Sequence, residues 1–124
     1  MNYRKNNPAA QRFAERRQRE NDAPRLSAEV PGLVSLRLEI EERGGSPQPK
    51  YIRRIMVDTA PALFLLPCGD PRCVDGGHDV TAAVMQALRA RRTHFEGTDE
   101  CHGNVGSSAC TRVVHFEASA DYRP

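Results

Sequence analysis

A chain of 124 residues with no Trp, 6% aromatic and 39% apolar residues is one domain by length, with too little bulk for a deep core unless something staples it. No apolar run approaches the roughly 20 residues of a membrane span; the longest covers only residues 62–66. The net charge of +2 divides unevenly: residues 1–25 carry seven Lys/Arg against three acids, a net of +4, and the remainder carries eleven against thirteen, a net of −2.

Residues 1–25 read as a separate basic arm, bearing Arg4, Lys5, Arg12, Arg16, Arg17 and Arg19. Asn7-Pro8 is a helix start, with Asn as cap and Pro at the first helical position. Phe13 is the only large apolar side chain between Pro8 and Glu20, and a short helix without an apolar face is marginal in water. The arm is therefore expected to be largely disordered or transiently helical. It has no apolar run of the kind a signal peptide needs, so a cytoplasmic location is expected.

Residues 26–124 are expected to form one α+β domain. Val34, Leu36, Leu38 and Ile40 alternate with Ser35, Arg37, Glu39 and Glu41, the pattern of a strand with one wet face. After the turn chemistry of residues 43–49, residues 51–57 make a second strand and an antiparallel hairpin. The unbroken apolar run 62–66 predicts a third strand, central and covered on both faces. Beyond a Gly-containing loop at 68–77, Val80, Ala83, Val84, Ala87 and Leu88 recur at helical spacing, predicting a helix over 80–92 with Asp79 as its cap. Arg89, Arg91 and Arg92 fall in its last turn, where cations meet the negative end of the dipole. Residues 93–101 and 110–118 complete an order βββαββ, an antiparallel sheet with one helix packed on it.

The cysteines follow C-x4-C-x27-C-x8-C, at Cys68, Cys73, Cys101 and Cys110. Two disulfides or one metal would both use an even count, and a reducing compartment favours the metal. Cys68 and Cys73 bracket the loop after the third strand, and Cys101 and Cys110 bracket the turn of the last hairpin. If that hairpin pairs near strand three, four sulfurs face one point and hold one structural Zn2+. Arg72 and Arg112 are placed to screen the charge of four thiolates. His78 is the possible substitute ligand, and is otherwise an exposed residue before the helix cap. His102 points away from its neighbour Cys101, and His94 and His115 are strand-surface residues.

Pro67-Cys68-x4-Cys73, paired with Cys101-His102-Gly103 and Cys110, resembles a divergent zinc ribbon or zinc knuckle over residues 68–110. It departs from ribbons in the C-x4-C spacing, the long second gap and the helix between its halves. The resemblance implies a closed structural zinc site. Residues 67–73 are also similar to the P-C-x-x-C half of zinc deaminases, but those need an upstream H-x-E and the first histidine here is His78. There is no H-E-x-x-H, no C-x-x-C pair and no G-x-S-x-G elbow either. The expected role is a non-catalytic binding module whose basic arm engages nucleic acid. The alternatives are an assembly scaffold docking on an acidic protein partner and a thiol redox switch; no membrane and no small-molecule substrate is implicated.

Overall fold

The computed structural model describes residues 8–124. Helix α1 (Pro8–Asp22) leads through a single turn, α2 (Leu26–Glu29), into strands β1 (Leu33–Arg43) and β2 (Lys50–Ile55). Two short strands follow, β3 (Leu65–Leu66) and β4 (His78–Asp79), then helix α3 (Thr81–Arg89). Strand β5 (His94–Glu100), a small hairpin β6 (Asn104–Val105) and β7 (Ser108–Ala109), and strand β8 (Val113–Tyr122) close the chain. Four strands make one antiparallel sheet in the order β2-β1-β8-β5. No helix among the described residues is long and apolar enough to cross a membrane.

The α+β class and the antiparallel β1–β2 hairpin are as the sequence predicts, with Leu38 opposite Arg53 and Ile40 opposite Tyr51. The element order is not. Residues 62–66 do not supply a central strand: only Leu65 and Leu66 are extended, and they pair with Asp79 and His78 in a separate two-stranded sheet. Pro61 and Pro67 flank this run, and proline cannot donate to a ladder. The centre of the sheet belongs to β1 and β8, which pair along almost their whole length. β8 also runs four residues beyond the predicted end at 118, because Phe116, Ala118 and Ala120 continue one buried face.

That face carries the core. Leu36, Leu38, Ile40, Phe95, Val114 and Phe116 pack against Leu26, Phe64, Val84, Met85 and Leu88. Phe95 and Phe116 meet edge to face, 6.3 Å between centroids at 81°. Val34, expected inside, is 53% exposed; an irregularity between Leu33 and Ser35 shifts the β1–β8 register and turns Leu33 inward in its place. On α3 the buried stripe is Val84, Met85, Ala87 and Leu88, with Ala83 outside it. Asp79 lies on β4, one residue before the capping position, and still accepts the Thr81 N–H at 3.0 Å.

The predicted helix end also shifts: α3 stops at Arg89, and Arg91 takes a left-handed conformation, φ 56°. Arg91 N–H donates to the Leu88 carbonyl and Arg92 N–H to that of Ala87, the paired bonds that satisfy a helix C-terminus. The Arg91 guanidinium then stacks over Tyr122 at 4.8 Å and donates to the Arg123 carbonyl. Beyond complementing the helix dipole, Arg91 ties the helix end to the last strand.

Candidate metal centre

Each cysteine sits where the chain leaves or enters a strand or turn. Cys68 lies just beyond β3, Cys73 ends a turn closed by its own N–H on the Asp70 carbonyl, Cys101 follows β5, and Cys110 follows β7. The two loops are not brought together by pairing of the last hairpin with β3. They meet at an antiparallel bridge, Val74 with Asn104, which exchange hydrogen bonds of 2.8 and 3.0 Å, and His102 N–H adds a longer bond of 3.4 Å to the Gly77 carbonyl. Cys101 N–H donates to the Arg112 carbonyl at 2.9 Å and Cys110 N–H to the Gly103 carbonyl at 2.9 Å.

The result is one cluster. Cys68 Sγ lies 3.8 Å from Cys110 Sγ, Cys73 Sγ lies 3.6 Å from Cys101 Sγ, and all four sulfurs fall within 4.8 Å of one another. Four ligands at ~2.3 Å on the corners of a tetrahedron stand about 3.8 Å apart. A disulfide needs about 2.05 Å. Cys101 and Cys110 are buried; Cys68 and Cys73 are half-buried. The four cysteines could hold a metal ion, and a four-sulfur set closes the coordination sphere of a tetrahedral ion.

Backbone donors surround the sulfurs. Gly77 N–H donates to Cys101 Sγ at 3.3 Å and Asp70 N–H to Cys68 Sγ at 3.5 Å. Two glycines are required by contact with the site: a Cβ at Gly76 would land on Cys73 Sγ, and one at Gly103 would come within 2.5 Å of Cys73 Sγ and 2.5 Å of Gly76 Cα. As free thiols, Cys68, Cys73 and Cys101 differ. Burial pushes Cys68 up to about 11 and raises Cys73, with the neighbouring thiols adding to both. Burial also acts against ionisation of Cys101, yet N–H donation from Gly77 and Gly103, with the thiols of Cys73 and Cys110, outweighs it and lowers that thiol below its ordinary value.

The charged residues near the site are committed elsewhere. Arg72, expected to screen the thiolates, forks onto Asp70 at 3.2 and 3.1 Å. Arg112 is buried and donates to Glu42 at 3.1 Å. His78 is buried, not exposed; its Nε2 bonds Glu42 at 2.8 Å and its Nδ1 lies 3.1 Å from the Asp99 carbonyl oxygen. Both ring nitrogens are therefore occupied away from the sulfurs. His102 lies exposed, 3.5 Å from Asp99. Sequence reasoning missed Glu42 altogether, although an acid in step with Leu36, Leu38 and Ile40 is a signal of a buried charge.

The arm's cations divide. Arg4 and Lys5 lie outside the described residues, as does the side chain of Arg12. Arg16 and Arg17 stack on Phe13 at 5.6 and 5.8 Å, and Arg19 is 3.7 Å from Asp79. Arg16, Arg19 and Phe13 line a cleft of about 780 Å³ whose opposite wall includes Pro67, Cys68, Cys73 and Gly76. On the open sheet face, Glu96, His115 and Glu117 also bring donor atoms within 4.8 Å of one another. His94 is exposed on β5 opposite Ser119, and His115 pairs with the exposed Glu96 at 3.3 Å as an ordinary surface contact. Comparison of the chain with protein-family models, with curated proteins and with solved structures gave no match.

Proposed function

We propose that the chain is a non-catalytic binding module, stapled by one structural Zn2+ on Cys68, Cys73, Cys101 and Cys110, whose basic helix α1 engages the phosphate backbone of a nucleic acid. The convergence of four sulfurs at tetrahedral spacing carries this reading. A closed set of thiolates leaves no position for a reacting water, which favours structure over catalysis. Zinc in such sites contributes ~10–16 kcal/mol, as much as the ~5–15 kcal/mol net stability of a typical domain. Stripping the ion with a chelator should therefore abolish the cooperative thermal transition, and an unchanged melting curve would contradict the staple.

The nucleic-acid part rests on Arg16 and Arg19, which line the cleft with Phe13, and on Arg17, which stacks on the same half-exposed ring. Anisotropy with labelled single-stranded RNA and duplex DNA, at about 50 and about 200 mM salt, tests it. Replacing the three arginines with serine should weaken binding and reduce the salt slope by about 0.7–0.9 for each phosphate no longer neutralised. Equal affinity and slope in wild type and variant would remove the reading.

A second reading, docking on a protein, is favoured by β2. It is an outer strand of the sheet, and Tyr51, Ile52 and the following Met56 are 38%, 49% and 74% exposed. Edge strands of this kind add partner strands readily. A partner that survives nuclease treatment and no longer binds Ile52→Lys would favour it.

A further inference from the structure

We infer that Glu42 is the positioning residue of the metal centre: a single buried carboxylate that fixes the spacing between its two cysteine-bearing loops. The inference rests on the reading of the four cysteines as a metal site.

Glu42 ends the buried parity of β1 and is 3% exposed; Arg112 and His78 are each 2% exposed. Charges are kept inside a protein only when paired and hydrogen-bonded, and this one is bonded on every side. Gly69 N–H donates to both oxygens, at 2.9 Å to Oε1 and 3.1 Å to Oε2. Arg112 Nη1 reaches Oε1 at 3.1 Å and His78 Nε2 reaches Oε2 at 2.8 Å.

The partners matter because of where they lie. Gly69 is the residue after Cys68 and opens the loop to Cys73. Arg112 is two residues after Cys110, and its carbonyl accepts the Cys101 N–H at 2.9 Å. His78 carries the tie onward to the Asp99 carbonyl, two residues before Cys101. Through one carboxylate the first loop is thus joined to both segments that present the second pair of sulfurs. Arg112 is anchored in turn by the Pro47 carbonyl. Groups that orient metal ligands in this way commonly change metal affinity 10–100-fold when removed.

The test uses the full chain loaded with zinc, and separately with cobalt, as wild type, Glu42→Gln, Glu42→Asp and Leu88→Ala. Leu88 is buried on α3 and has no part in the bonding around the cysteine cluster, so its variant reports a general loss of stability. Glu42→Gln should bind zinc about 10–100-fold more weakly, release it faster to excess chelator below its melting temperature, and alter the absorption bands of the cobalt form. Glu42→Asp, which keeps the charge on a shorter stem, should fall between Gln and wild type and serves if Glu42→Gln does not fold. Leu88→Ala should melt earlier with wild-type release and an unchanged cobalt spectrum. Wild-type release and spectra in both Glu42 variants would overturn the inference, as would equal effects in Leu88→Ala. A wild-type chain that takes up neither ion would instead overturn the metal reading beneath it.

Discussion

Each sulfur in the cluster must shed a proton before it can bind a cation, and Cys68, Cys73 and Cys101 do not start level. Cys68, pushed up to about 11, and Cys73, also raised, are protonated at neutral pH, whereas Cys101 lies below its ordinary value. Loading therefore displaces protons, and lowering the pH favours the protonated thiols over the bound ion. Apparent affinity should rise with pH, with protons released as the ion binds; calorimetry in buffers of different ionisation enthalpy measures this. A pH-independent affinity would contradict thiolate ligation. Gly76 and Gly103 supply a second residue-scale expectation. Their alanine variants would drive a methyl group into Cys73 Sγ, and both should fail to retain the ion on gel filtration while Ser107→Ala, on the exposed β6–β7 turn, retains it. The cysteine set was legible because its types and spacings are chemical facts of the chain. The network behind it was half legible. Glu42 and Arg112 stand in phase with the buried residues of β1 and β8, and a charge at a core position announces a buried partner, but not which one.

At the scale of elements, period-2 alternation identified β1, which has one wet face, whereas β2, exposed on both faces at Tyr51 and Ile52, was read as the strand that follows the turn. Alternation could not place residues 62–66. An apolar run fits a central strand, but it also fits a covered connection, and the long pairing of β1 with β8 leaves no central place for it. The route by which the cysteine loops converge was equally hidden, since it depends on the bridge between Val74 and Asn104 and on the bonds gathered at Glu42, which no periodicity encodes. The expected stripe of α3 shares Val84, Ala87 and Leu88 with the buried one, Met85 standing in for Ala83, and its packing leads to a quantitative expectation. Leu88 is fully buried against the sheet, so Leu88→Ala should cost ~2–5 kcal/mol by urea unfolding of the zinc-loaded chain. A loss under about 1 kcal/mol would mean that α3 packs more loosely than its burial implies.

For the molecule as a whole, the charge division in the sequence becomes a spatial one. The basic helix α1 lies beside the cysteine loops, and the open sheet face aligns Glu39, Glu117 and Glu96 across three neighbouring strands. A core of this size, with no Trp and small residues along the second half of β8, has little to hold the long loops that leave the sheet and carry the cysteines. Those loops are the part the metal would hold, and this is why the ion is central to the proposed module. The most direct measurement is the mass of the purified chain under native conditions, followed by a thiol count after unfolding in chelator. One zinc ion per chain and four free thiols are expected. A metal-free chain with two disulfides would contradict the zinc staple.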